Sequence, residues 1–128
     1  MSSMSSNRYF FVVGSGNSAL PVEFLYFDAK SLGAQIELTW ATATETNNDF
    51  FEIQRSTDGV MWEALERVKG FGTTLQQQDY IAYDNSPISG LAYYRLKQVD
   101  IDGTTDYSDV KQVALNGGSG SALEIKSV

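Results

Sequence analysis

The sequence predicts an all-β protein, an antiparallel sandwich of about seven strands. Aromatic residues make up 12% of the 128 residues, and aromatic and β-branched side chains favour strands. Apolar and polar residues alternate along several short runs, which is the period of a strand with one buried face. Short turns rich in Gly, Asp, Asn and Ser separate these runs. They leave no room for the crossovers of roughly a dozen residues that a parallel sheet requires.

The predicted strands follow one another closely along the chain. The alternation is clearest where Ile36, Leu38 and Trp40 are separated by polar residues. Helix is an alternative for residues 61–67 on propensity alone, but the turn at Asp58-Gly59 favours a hairpin and therefore a strand. The seven predicted strands are residues 22–30, 34–41, 50–56, 60–68, 78–83, 92–99 and 106–115. Residues 44–49 are predicted to be the longest polar loop, and residues 69–74 a turn.

The apolar positions of these strands predict one shared core. Phe51, Ile53 and Arg55 fall on one face of the third strand, while Tyr94 and Leu96 point inward from the sixth. We expect them to meet the apolar face of the second strand, so that the core consists of Ile36, Leu38, Trp40, Phe51, Ile53, Tyr94 and Leu96.

Three segments are predicted. Residues 1–19 contain a short strand-like island, 8–13, and a Gly/Ser linker; the island is either the end of a preceding domain or a further strand of this one. Residues 20–115 form the sandwich. Residues 116–128 are a flexible tail.

Charge and hydropathy exclude several classes of partner. Nine basic residues face sixteen acidic ones, which gives a net charge of −7 without any basic run. Nucleic acids and anionic membrane surfaces are therefore unfavourable partners. No segment approaches the roughly 18 apolar residues of a membrane span, so we expect no membrane insertion. Residues 1–6 lack the features of a signal peptide, so the chain is either cytoplasmic or a piece of a longer protein.

The residue inventory argues against catalysis. The chain has no His and no Cys, which removes His-assisted nucleophiles, thiol chemistry and the usual zinc sites. Glu45, Glu52 and Glu63 could suggest a glycosidase pair, but nothing in the sequence brings two of them together. Gly14-Ser-Gly16 lacks the third glycine of a phosphate-binding loop. We expect no enzyme activity, no catalytic residue, no metal and no cofactor.

Two polar segments are candidates for cation binding. Asp100, Asp102 and Asp106 lie in one short loop, and Glu45, Asn47 and Asp49 in another. Calcium takes roughly six to eight oxygens, usually with a bidentate Glu that the first loop lacks. Asp and Asn also bond readily to nearby backbone. We therefore favour structural loops, and the sequence leaves cation binding undecided.

The aromatic residues raise a second kind of site. The alternation places Trp40 in the core, whereas Trp62 either packs or stacks on a sugar ring. A carbohydrate-binding module would use exposed aromatic residues such as Tyr26, Trp62, Tyr80 or Tyr83.

Two motifs resemble the fibronectin type III fold, an immunoglobulin-like sandwich. Gln35-Ile-Glu-Leu-Thr-Trp40 is similar to its second strand with a buried Trp, and Tyr94-Arg-Leu-Lys97 to its sixth strand with a buried Tyr. The resemblance implies that the Tyr94 hydroxyl forms a tyrosine corner by bonding to backbone.

A set of motifs in register makes the resemblance more specific, over residues 20–113. The set resembles a fibronectin-like module of secreted Bacteroidetes proteins that stands just before the C-terminal sorting domain of type IX secretion. The sorting motif itself is missing, and residues 123–128 resemble only its lead-in. The motifs are Leu20-Pro-Val-Glu-Phe-Leu25, Trp40-Ala-Thr-Ala-Thr-Glu-Thr-Asn-Asn-Asp49, Phe51-Glu-Ile-Gln-Arg-Ser56 with Asp58-Gly59, and Tyr93-Tyr-Arg-Leu-Lys-Gln-Val-Asp100 with Asp102-Gly103 and Tyr107-Ser108.

This resemblance implies a secreted or cell-surface location as part of a longer protein. We expect a monomeric, non-catalytic spacer or interaction domain whose partners are the neighbouring domains of the parent chain. The alternatives are a carbohydrate-binding module that binds polysaccharide and an adhesin-like domain that binds a cell-surface protein.

Overall fold

The computed structural model describes residues 22–115, and all regular structure in this range is strand. The predicted segments 1–19 and 116–128, together with residues 20 and 21 of the predicted sandwich, lie outside the described residues. The strands are β1 (Val22–Leu32), β2 (Gln35–Ser56), β3 (Glu63–Thr74), β4 (Gln78–Asp84), β5 (Gly90–Asp100), β6 (Thr105–Tyr107) and β7 (Lys111–Leu115).

The strand β2 organises the sheet. Its first half pairs with β1 and β4, and its second half with β3 and β5. On its other side β5 pairs with β6 and β7. Every one of these pairings is antiparallel. The strand β2 therefore connects two groups of strands. The first group is β1 and β4, and the second group is β3, β5, β6 and β7.

Halfway along, β2 folds back on itself. The ring centroids of Trp40 and Phe51 are 5.5 Å apart, whereas a straight strand would separate these two residues by about 36 Å at about 3.3 Å per residue. Near the middle of the reversal, Asn47 has a positive φ of 54°, a conformation that Asn tolerates better than most residues. The two halves of β2 thus face each other across the core.

The predicted core is confirmed. Every one of its seven side chains is at most 1% exposed. The Trp40 ring stacks on Tyr80, with 5.3 Å between centroids, and the Phe51 ring meets Tyr80 at 4.9 Å. These aromatic rings fill the space between the two halves of β2, and such pairs stabilise a core beyond the area that they bury.

Two predicted loops are wrong. Residues 44–49 belong to β2, so the second and third predicted strands are one strand. Residues 69–74 are the last part of β3, which begins at Glu63 and not at residue 60. The backbone of this second segment pairs with β2 at its reversal, where Thr74 lies opposite Glu45. Tertiary pairing thus overrides a composition typical of turns.

The last predicted strand is interrupted. The Leu96 amide donates to Ser108 Oγ at 2.8 Å instead of to a backbone carbonyl of the neighbouring strand, while the Ser108 amide donates to the Leu96 carbonyl. A side-chain hydroxyl that replaces a backbone acceptor interrupts the ladder. The segment therefore divides into β6 and β7.

The prediction of an antiparallel, all-β fold with about seven strands is confirmed, and the arrangement is consistent with an immunoglobulin-like sandwich. None of residues 22–115 belongs to a helix long and apolar enough to cross a membrane.

Candidate functional site

A buried carboxylate lies where β2 reverses. Glu45 is 1% exposed. Its Oε1 accepts hydrogen bonds from Asn48 Nδ2 at 2.8 Å and from the Phe71 amide at 3.0 Å. Its Oε2 accepts from Thr42 Oγ1 at 2.9 Å and from the Tyr80 hydroxyl. We call Glu45 and these four donors the Glu45 cluster.

The Glu45 cluster ties three strands together. Its donors come from both halves of β2, from β3 and from β4. Burial raises the pKa of the Tyr80 hydroxyl, and the hydrogen bond to Glu45 raises it further. Gly70 lies against the cluster, because a Cβ there would be 2.3 Å from Asn48 Nδ2. Four protein donors enclose the carboxylate, so the arrangement stabilises the reversal.

The polar network continues toward the end of β5. Gln98 Nε2 donates to Asn48 Oδ1 at 2.8 Å and to Asp100 Oδ1 at 2.7 Å. Burial raises the pKa of Asp100; the bond from Gln98 opposes this rise, and the charges of Asp102 and Asp106 add to it.

The first candidate cation set is not assembled into one site. Glu45 is enclosed by its own donors. The Asn47 amide donates to Thr73 Oγ1 at 3.0 Å, and Asp49 forms an ion pair with Lys69 at 3.3 Å. Each of the three residues therefore has a separate structural partner, as expected of a structural segment.

The second candidate set bonds mainly to nearby backbone. Asp102 accepts from the Thr104 amide at 2.9 Å, and Asp106 from the Tyr107 amide at 2.9 Å. Among residues 22–115, no three Asp, Glu, His or Cys side chains are grouped so that they could hold a metal ion. The three acidic residues at this turn thus act on the turn backbone and on Gln98.

The glutamates considered as a glycosidase pair also have separate partners. Glu52 accepts from Gln54 Nε2 at 2.9 Å, and Glu63 pairs with Arg55 at 2.9 Å. Together with Glu45 they are held by three different sets of neighbours.

A second buried carboxylate lies at the opposite end of the core, at the end of β4. Asp84 Oδ2 accepts from the Tyr94 hydroxyl at 2.6 Å and from Arg55 Nη1 at 2.8 Å. Burial raises the pKa of Tyr94, and the hydrogen bond to Asp84 adds to this effect. The expected tyrosine corner is therefore wrong in its acceptor, since the hydroxyl bonds to a side chain and not to backbone.

This Asp84 site was not predicted, although the sequence contains one signal for it. Arg55 falls on the same face as Phe51 and Ile53, and a charged side chain on an apolar face requires a buried partner of opposite sign. The partner lies in a segment, 84–87, whose composition is that of a turn.

The aromatic candidates divide into three groups. Tyr80 as an exposed platform is wrong, because it is 8% exposed and belongs to the Glu45 cluster. Tyr26 and Tyr83 are 44% and 38% exposed. Trp62 is half-buried, and Arg95 Cζ lies 4.3 Å from its ring centroid. The sequence analysis did not identify Arg95 as a site residue.

No family model matches the chain, and no curated protein matches it in sequence. Function is therefore inferred from the geometry described above and from the motifs in the sequence.

Proposed function

We propose that this chain is a non-catalytic spacer or interaction domain, of the fibronectin type III-like kind, in a secreted or cell-surface multidomain protein. The observation that carries the proposal is the direction in which the chain crosses the fold. Val22, at the start of β1, pairs with Glu45 at the reversal of β2. Leu115, at the end of β7, pairs with Gly90 at the opposite end of the sheet.

A domain with this layout advances the chain from one end of the fold to the other. The second half of β2 runs along the same axis from Asn48 to Ser56, which corresponds to about 26 Å at about 3.3 Å per residue. The Glu45 cluster and the Asp84 site each hold one end of the core. Such a fold separates its neighbours by a fixed distance, which a flexible linker of equal length would not do.

The two residues that carry the family resemblance support the assignment. Trp40 in β2 and Tyr94 in β5 are both fully buried, as the resemblance implies. The expected partners are the neighbouring domains of the parent chain, and a monomer suffices for this function. Export and a place beside a sorting domain belong to the same proposal and derive from the motifs alone.

The test uses the absence of Cys in the chain. Dyes attached to a Glu23→Cys, Ala114→Cys variant, at exposed positions near the two ends of the fold, should give one narrow population in single-molecule energy transfer. The distance should be about 30 Å. A broad distribution like that of the urea-unfolded chain, or turnover in a hydrolase substrate panel, would contradict the proposal.

A further inference from the structure

The outer surface of the second group of strands carries a guanidinium that contacts two aromatic rings. Arg95 Cζ lies 4.3 Å from the Trp62 ring centroid and 4.1 Å from that of Tyr107. Arg95 Nε donates to Gln54 Oε1 at 2.8 Å. The two stacking contacts and this hydrogen bond fix the plane of the guanidinium. We call Arg95 with these three neighbours the Arg95 slot.

One edge of the guanidinium has no partner in the described part of the chain. Only Nε of Arg95 donates to a residue within 22–115, which leaves the Nη1 and Nη2 groups. The side chain is half-buried, and neither Nη atom is among the buried polar atoms that lack a partner within residues 22–115, so this edge is open to solvent. The free donors therefore form a binding edge whose orientation is already set.

The chemistry of this edge favours a carboxylate. A planar guanidinium presents two parallel N–H groups that match the two oxygens of a carboxylate. The contacts of Arg95 with Trp62 and Tyr107 hold the guanidinium in place, so less conformational freedom is lost when an anion binds. A neutral acceptor would gain the hydrogen bonds without the charge attraction.

We propose that the Arg95 slot binds the carboxylate of a uronic acid within a polysaccharide. Such a ligand goes beyond the spacer function, which requires no ligand. Half-buried Lys97, two residues along β5 from Arg95, and exposed Gln112 on the neighbouring strand β7 can bond to sugar hydroxyls.

The surrounding charges favour isolated carboxylates over a run of acidic residues in a peptide. Glu52 lies beside the slot, where it accepts a hydrogen bond from Gln54 at 2.9 Å. The chain as a whole carries a charge of −7 and repels a dense anion. In a polysaccharide, neutral hydroxyl-bearing units can separate one carboxylate from the next.

The test is a titration of the full chain with a tetramer of one galacturonic acid unit and three neutral sugar units, and with the methyl ester of this tetramer. Tryptophan fluorescence, to which buried Trp40 adds a constant signal, should change through Trp62 in a saturable way with the acid and stay constant with the ester, which has the same shape without the charge. Sodium chloride should weaken the binding, because exposed charges are screened. Equal binding of acid and ester, or no binding of the acid at millimolar concentration, would overturn the proposal.

A matched pair of variants assigns the binding to the slot. Arg95→Lys keeps the charge and loses the planar edge, so affinity for the acid should fall about tenfold. The control is Arg67→Lys, because Arg67 stacks on Phe50 at 4.4 Å and approaches Glu52 at 3.7 Å on the same surface; its affinity should equal that of the unmodified chain.

Thermal melts verify that both variants fold. Equal affinities in the Arg95→Lys variant and the unmodified chain would overturn the proposal. Preference for a peptide with a single glutamate over the tetramer that contains one galacturonic acid unit would overturn it as well.

Discussion

Glu45 carries a carboxylate into the interior, and no cationic side chain among residues 22–115 pairs with it. Its charge is balanced by four hydrogen bonds instead. Hydrogen bonds to charged groups contribute about 1.5–3 kcal/mol each, and a donor left without an acceptor in the interior costs about 1–3 kcal/mol. The residue therefore has a large effect on stability when it is removed, whatever its net contribution in place.

Two substitutions at Glu45 separate its shape from its charge. Glu45→Ala leaves all four donors without an acceptor, and we expect it to lower the free energy of unfolding by more than about 3 kcal/mol. Glu45→Gln keeps one oxygen for Asn48 and Phe71, and the hydroxyls of Thr42 and Tyr80 can turn to accept, so the loss should be about 1 kcal/mol. Urea unfolding measures both values. Equal losses in free energy of unfolding for the two variants would contradict the expectation that Gln keeps part of the hydrogen bonding that Ala removes.

Burial raises the pKa of Asp100, which fixes the sign of its pH dependence. The contribution of Asp100 to stability is fully present below the ordinary pKa of 3.8 and is lost as the pH rises through the folded value. Asp100→Asn removes this loss. We expect it to raise the melting temperature at pH 7 and to have little effect at pH 3.

Asp58 provides a control of opposite sign. Hydrogen bonds from the Met61 and Val60 amides lower the pKa of this exposed carboxylate. Its contribution is present above 3.8 and is lost as the pH falls through the folded value. Asp58→Asn should therefore lower the melting temperature at pH 7. Shifts of the same sign in both variants would contradict the assignment.

At the scale of the elements, the sequence predicted strands well where one face is apolar. The alternation of Ile36, Leu38 and Trp40 places β2 in the core without further information, because a period of two exposes one face and buries the other. The prediction from sequence was wrong at residues 44–49 and 69–74, which are strands. Their polar side chains resemble those of loops, and only long-range pairing gives them partners. The Arg95 slot could not be predicted for the same reason, because the three neighbours of Arg95 come from distant parts of the sequence.

Gly70 tests the close contact between β3 and the reversal of β2. A Cβ at this position would lie 2.3 Å from Asn48 Nδ2, so Gly70→Ala must displace either the side chain or the strand. Overpacking of this kind costs about 1–3 kcal/mol, and urea unfolding should show a loss in that range. In the Asn48→Ala background the same substitution should cost clearly less. Equal costs in both backgrounds would place the effect elsewhere.

At the scale of the whole molecule, buried tyrosines join the two groups of strands at both ends. Tyr80 donates to Glu45 at the reversal of β2, and Tyr94 donates to Asp84 at the opposite end. The first bond links β4 to β2, and the second links β5 to β4. Loss of either one opens the core from one end.

The raised pKa values of Tyr80 and Tyr94 predict alkaline unfolding. The stability that these hydroxyls contribute is fully present below the ordinary pKa of 10.0 and is lost as the pH rises above it, because only the unfolded chain ionises readily. Urea unfolding between pH 8 and pH 11, a range of about one pKa unit or more on either side of that value, should show falling stability. Tyr94→Phe should be less stable at pH 8 and show a shallower decline. An identical slope in the variant would exclude Tyr94 as a cause.

The reversal of β2 also determines where foreign peptides can be displayed on this protein. Designers usually place an insertion at the tip of a connecting loop, where the backbone is exposed and free. Here the backbone on either side of the reversal is already paired with β1 and β3, and the carboxylate of Glu45 is buried. An epitope inserted at residues 45–48 would separate these strands, whereas the same epitope inserted at the exposed residues 75–77 would leave these pairings in place.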